Sequence, residues 1–188
     1  MPGLSEMCDP VSKFALVCHP ATPDAAVSAL GAEVQPDAAG LAVDFHLSGE
    51  LAALRIPDVA TPLPPERLWA HTCFELFVGA VGEAAYREFN FSPNGQWMRF
   101  DFADYRARVP SPAGPAPRIA VSADEGGLGL SVLLPAPLLP AGRLCIGLTA
   151  VVEHADGSHT YWALRHPVAQ PDFHHRDGFA LALHAVNP

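Results

Sequence analysis

Charge is scarce in this sequence: Asp, Glu, Lys and Arg make up 16% of its 188 residues, and basic side chains number 11 against 20 acidic ones. Long helices need Lys, Glu, Arg and Gln on a wet face, so this poverty, with 20 prolines and 15 glycines, argues against a helical protein. The formal charge of -9 repels a phosphate backbone. The nearest approach to a basic stripe, Arg99 with Arg106 and Arg108, is broken by Asp101 and Asp104, and a nucleic-acid partner is not expected. The four cysteines, Cys8, Cys18, Cys73 and Cys145, form no C-x-x-C pair and no zinc spacing with histidine. They read as free thiols in a reducing compartment, and a chain of this length needs neither disulfide nor metal to hold a core. The opening MPGLSEMCDPVSKF has no basic or apolar signal region, and no apolar run approaches the roughly 20 residues of a membrane span. The expectation is a cytoplasmic protein without a membrane partner.

What is present is apolar and frequently interrupted. Hydrophobic residues reach 49%, and proline and glycine cut the chain about every 8–12 residues, the spacing of sandwiches and barrels. Short strands are predicted over 14–18, 28–35, 41–47, 72–78, 86–92, 96–102, 118–122, 128–134, 144–153, 159–164 and 179–184, with a weaker one over 51–56. A helical alternative exists for 22–32, where Asp24 could cap an alanine-rich turn. Residues 57–65 and 109–117 are proline-rich loops, and 135–142 (PAPLLPAG) is an apolar connection suited to cover one end of a sandwich. Residues 124–127 and 156–157 read as hairpin turns. The organisation expected is a tail, 1–11, and one antiparallel β-sandwich domain, 12–188.

The three aromatic strands in the middle can be sorted by face, because side chains alternate. Phe74, Leu76 and Val78 fall on one face of the first, with Cys73, Glu75 and Phe77 opposite. In the second, Phe89 and Phe91 oppose Tyr86, Glu88 and Asn90; in the third, Met98, Phe100 and Phe102 oppose Trp97, Arg99 and Asp101. A two-residue turn at Asn94-Gly95 sets Asn90 across from Arg99 and Glu88 across from Asp101. A turn at Pro93-Asn94 sets Glu88 across from Arg99 and Tyr86 across from Asp101. Both registers bury Met98 and Phe100 with Phe74, Leu76, Phe89 and Phe91. Both gather Glu75, Glu88, Asn90, Trp97, Arg99 and Tyr86 on an outer wall. Aromatic planes beside hydrogen-bonding groups suit a hydroxylated ligand such as a sugar, whose C–H faces stack while its hydroxyls bond.

The stretches LWAHTCFELFVG, YREFNFSPNGQW and FADYR, followed by YWALRHPVAQPDFHHRDGFALAL at 161–183, resemble the bacterial DOMON-like domains, relatives of the family 9 carbohydrate-binding modules. The resemblance spans roughly residues 12–184. It implies an all-β, jelly-roll-like sandwich of about ten strands that binds sugar or haem and in some relatives serves a redox or hydrolytic partner. Modules of this kind hold a sugar chain end between aromatic residues, for which Trp69, Trp97 and Trp162 are the candidates here.

Five of nine histidines fall between residues 154 and 175. Their spacing fits no metal site, and His166, Asp172 and His174 are placed at the rim of the ligand site. Haem is the alternative cofactor. Haem-binding DOMON relatives use a Met and a His, but the parity argument buries Met98, and there is no C-x-x-C-H. An enzymatic alternative would use Glu75 and Glu88 as the acid/base pair of a glycoside hydrolase. Nothing else in the sequence supports catalysis. The reading is therefore a non-catalytic module for a sugar or glycoconjugate, without a cofactor. Glu75, Glu88, Asn90 and Arg99 would supply hydrogen bonds, and Trp69, Trp97 and Trp162 stacking. An accessory domain docking on a partner enzyme through an exposed sheet edge or the PAPLLPAG loop is a further alternative.

Overall fold

A computed structural model describes residues 12–183. The expected N-terminal tail, Cys8 and the last residue of the final predicted strand, His184, lie outside the described residues. Among the described residues there are thirteen strands. They are β1 (Ser12–Ala15), β2 (Val17–Cys18), β3 (Val27–Asp37), β4 (Gly40–Gly49), β5 (Cys73–Ala80), β6 (Tyr86–Phe91) and β7 (Trp97–Asp104). There follow β8 (Ala107–Val109), β9 (Arg118–Asp124), β10 (Gly127–Pro135), β11 (Leu144–Glu153), β12 (His159–Ala163) and β13 (Leu181–Leu183). The all-β antiparallel sandwich expected from the sequence is what forms. One sheet has five strands in the order β1-β3-β4-β10-β9; the other has eight, ordered β2-β12-β11-β5-β6-β7-β8, with β13 beside β11.

The five-stranded sheet alternates cleanly. In β4, Leu41, Val43, Phe45 and Leu47 are buried while His46 and Ser48 face out, the pattern of a sheet wet on one side. The inner faces of β3, β4 and β10 close on those of β5, β6 and β11, and Phe45 stacks on Phe74 with ring centroids 5.1 Å apart. The larger sheet differs: β5, CFELFVGA, is buried on both faces. Its outer face carries a second apolar cluster of Phe77, Tyr86, Phe100, Phe102 and Phe179. The segment 165–179 folds back over it, and Phe173 packs against the same cluster.

Several local expectations are corrected. The first predicted strand is broken at buried Leu16, where the chain passes from one sheet to the other: β1 pairs with β3, and β2 with β12. The helical alternative over 22–32 is not adopted. Asp24 Oδ1 instead accepts from the Ala26 and Val27 amides at 2.9 Å, a turn that launches β3. Residues 51–56 do not form a strand; Leu51–Ala53 is a 3-10 turn, and only Leu54 bridges, to His154. The 135–142 connection does cover the sandwich end: Leu138, in a 3-10 turn, joins the core and its carbonyl accepts from Arg87 Nη1 at 2.7 Å.

Candidate functional site

The geometry of the site follows from one hairpin. Between β6 and β7, Phe91 pairs with Trp97, Asn90 with Met98, Glu88 with Phe100 and Tyr86 with Phe102. The connection is neither two-residue turn. Ser92 N–H donates to Gln96 O and Gly95 N–H donates to Ser92 O, which leaves a three-residue loop with Gly95 left-handed at φ +84. Asn94 Oδ1 holds the far side by accepting from Gln96 N at 3.0 Å. Three-residue loops ending on a left-handed glycine are a standard hairpin solution. An odd loop reverses the parity that an even loop would set. Every side chain of β7 is therefore on the opposite face from the one expected.

Met98, Phe100 and Phe102 thus stand on the outer face beside Glu75, Asn90, Glu88 and Tyr86. Trp97 and Arg99 turn inward. Half-buried Trp97 packs against the main core, and Arg99, 8% exposed, forks onto Asp101 with Nε–Oδ1 at 2.6 Å. On β12 the same alternation puts Trp162 in the core, where its indole N–H donates to Thr160 Oγ1 at 3.2 Å, and sends His159 and Tyr161 outward. Trp97, Arg99 and Trp162 are therefore not residues of the outer wall. The burial of Met98 in the main core, on which the argument against a Met–His haem pair relied, is also corrected: Met98 packs against the outer cluster. It is not among the residues that line the cavity described next.

That outer wall encloses a cavity of about 560 Å³. Glu75, Phe77 and Glu88 form its floor, Phe100, Phe102, Arg106 and Arg108 one side, and Val151, His159 and Tyr161 the other. Pro171, Phe173 and His174, from the segment that folds back, close over it, and Trp69 with Ala70 completes the lining. Trp69, on the 3-10 turn Pro65–Ala70, is 48% exposed.

The floor is backed by fixed donors. Thr149 Oγ1 donates to Glu75 Oε2 at 3.0 Å, and Asn90 Nδ2 donates to Glu88 Oε1 at 2.7 Å. The carboxylates are only 3% and 5% exposed, and removal from water disfavours their charged forms. Burial, then the neighbouring charge of Glu88, holds Glu75 well above the usual carboxylate range against the Thr149 bond. Burial raises Glu88 to about 7, against the Asn90 bond and the charges of Arg108 and Arg106. Burial, with the two carboxylates, also raises the Cys73 thiol.

One wall is tied by a chain of polar contacts. Arg106 takes a left-handed φ of +52, and its backbone N–H donates to Tyr86 Oη at 3.0 Å. The phenol in turn donates to His174 Nδ1 at 2.9 Å, which leaves the imidazole proton on Nε2, 3.7 Å from Glu88 Oε2. Burial, reinforced by Arg106 and opposed by Asp172, lowers His174 to about 4, so its ring is neutral near pH 7. A left-handed non-glycine costs about 1–2 kcal/mol. Here it is held by Asp172, which accepts from Arg106 Nη2 at 2.9 Å, from Tyr105 Oη at 2.7 Å and from the His174 amide at 3.1 Å.

Of the residues singled out in the sequence, the fold brings Trp69, Glu75, Glu88 and His174 to the cavity lining. Asn90 lies behind the floor, and Asp172 holds Arg106 and His174 from outside. His166 stands apart: its Nε2 donates to Val17 O at 2.8 Å, and its ring meets His19 edge-on with centroids 4.6 Å apart. Sequence reasoning missed Phe100, Phe102, Arg106, Arg108, Tyr161 and Phe173. The signal for the two phenylalanines was the glycine at the third loop position in Ser92–Gln96. The same device recurs in His154–Ser158, where Gly157, at φ +86, donates to His154 O.

No protein-family model matches the sequence, and comparison with curated proteins gives no match. Among solved structures, the chain is similar to a Bacteroides uniformis protein described as a "putative carbohydrate-binding protein". The two share 14% identity at a TM-score of 0.66, over 89% of this chain and 84% of that one. At that identity the likeness carries the fold.

Proposed function

We propose that this protein is a non-catalytic binding module for a sugar or glycoconjugate, and that the ligand enters the cavity on the outer face of the larger sheet. The observation that carries this reading is the composition of the cavity. Buried Glu75 and Glu88 form a hydrogen-bonding floor, and Phe77, Phe100, Phe102, Tyr161 and Phe173 supply apolar walls. Hydroxyls need convergent polar groups and pyranose C–H faces need aromatic surface. The volume of about 560 Å³ lies within the range of small-ligand pockets. The fold shared with the Bacteroides protein supports the same reading, as does the motif order that resembles the DOMON-like and family 9 modules.

A glycan array, followed by titration of the hits, tests it. Binding should weaken about tenfold in Phe100→Ala and in Glu88→Gln, with far-UV circular dichroism unchanged. Binding that persists unchanged in both variants would place the ligand elsewhere, and an array without hits at millimolar ligand would sink the proposal. The raised proton affinity of Glu88 beside a second carboxylate supports a second reading, glycoside hydrolysis with Glu88 as the acid. Release of nitrophenol from chromogenic glycosides, abolished in Glu75→Gln, would favour hydrolysis over binding alone.

A further inference from the structure

We infer that the cavity is built for a ligand bearing a positively charged amino group, an amino sugar with a free amine, whose ammonium sits between Glu75 and Glu88; this rests on the sugar-binding reading. Each of these carboxylates spends one oxygen on its own support, Glu75 Oε2 on Thr149 and Glu88 Oε1 on Asn90. Among the described residues, Glu75 Oε1 has no hydrogen bond, and Glu88 Oε2 meets only His174 Nε2, at 3.7 Å, beyond bonding distance. Glu75 pairs with Asn90 and Glu88 with Phe77 across β5 and β6, so the two spare oxygens belong to diagonal neighbours. Their side chains are within reach of each other. A primary ammonium has three donors and no acceptor. It satisfies both oxygens at once and balances the negative charge that the pair takes on as it gives up its protons.

The surroundings support a cation. Ring faces attract positive charge, and Phe77, Phe100 and Phe102 border the floor. The protein already places one of its own cations there. The Arg108 guanidinium stands 4.1 Å from the Phe100 ring centroid, on an exposed side chain with no carboxylate in ion-pair range among the described residues.

Charged and titratable groups reach the pair from every neighbouring element. Cys73 comes from β5, Tyr86 from β6, Arg106 and Arg108 from the β7–β8 turn and β8, and His159 with Tyr161 from β12. Asp172 and His174 come from the covering segment, and the Asp172 carboxylate binds Arg106. The neutral His174 ring adds no charge, which leaves Arg108 as the competitor that a ligand ammonium must share the cavity with.

Calorimetric titration of the full chain at pH 7 with D-glucosamine, D-glucose, N-acetyl-D-glucosamine, D-glucuronate and cyclohexylamine tests the inference. Glucosamine should bind at least about tenfold more tightly than glucose or its N-acetyl derivative. Its binding heat should vary with the ionisation enthalpy of the buffer, because the carboxylate pair releases protons to solvent as the ammonium enters. Arg108→Gln, a change at an exposed position, should strengthen glucosamine binding, and Glu75→Gln should weaken it about tenfold. Equal affinity for glucose and glucosamine would overturn the inference and leave the sugar reading standing. So would tightest binding of glucuronate that is lost in Arg108→Gln. Binding of cyclohexylamine with none of the sugars would keep the cation site and remove the sugar reading. Silence from all five would remove both.

Discussion

Glu88 and His174 face each other across 3.7 Å, and burial moves their proton equilibria in opposite senses. Glu88, raised from 4.5 to about 7, keeps a proton in the folded state that the unfolded chain has released. Its contribution to stability is therefore full below about pH 4.5 and lost as pH climbs to about 7. His174, lowered from 6.5 to about 4, is protonated first in the unfolded chain, so its contribution is present above 6.5 and lost as pH falls to about 4. Each shift corresponds to about 3 kcal/mol. The two slopes oppose each other between about pH 4.5 and 6.5. Urea unfolding at pH 5 and pH 7 separates them. His174→Gln should lose more stability than the wild type on going from pH 5 to 7, and Glu88→Gln should lose less or gain. Variants that both track the wild-type slope would contradict these assignments.

The loop between β6 and β7 decides which side chains the cavity receives. Deleting Pro93 would leave Asn94-Gly95 as a two-residue turn, a strong short-range hairpin signal. Ser92 and Gln96 would still flank that turn, so Phe91 would stay opposite Trp97 and Glu88 opposite Phe100, and no side chain of β7 would change face. The expected outcome is a folded protein that keeps its near-ultraviolet dichroism and a cooperative transition. Collapse of the near-ultraviolet signal in the deletion variant would show that β7 needs the three-residue loop to hold its register. Strand positions were legible because β-branched and aromatic runs alternate between proline and glycine breaks. Leu51–Ala53 was misread because an apolar run of that length does not distinguish a strand from a 3-10 turn. The faces of β5 and β6 were legible from parity within each strand. The face of β7 was not, because parity carries across a hairpin only when the loop length is known. Asn94-Gly95 and Pro93-Asn94 are both even, and the loop is odd.

On the scale of the molecule, one core joins the two sheets, and a second apolar layer covers only the larger one. Phe45→Ala removes a ring with 0% exposure that stacks on Phe74. It should cost about 3–5 kcal/mol, read as a shift of a single cooperative unfolding transition followed by both fluorescence and far-ultraviolet dichroism. Non-coincident transitions would indicate that the sheets unfold separately. Phe100→Ala should cost less, because the space it vacates joins an existing cavity, and its effect should appear in ligand binding. The sequence by itself determined the class: scarce charge, frequent proline and glycine, and short alternating runs leave a sandwich as the arrangement that buries both apolar faces. It also marked Glu75 and Glu88 as neighbours on one face, since within-strand alternation and the β5–β6 hairpin are local. The tertiary structure alone decided that this face is roofed by residues 165–179, that Trp97 and Trp162 point into the core, and that Arg106 and Arg108 reach the cavity. Those outcomes depend on hairpin loop parity and on a return of the chain across long sequence separation, and neither is encoded in the residues that end up in contact.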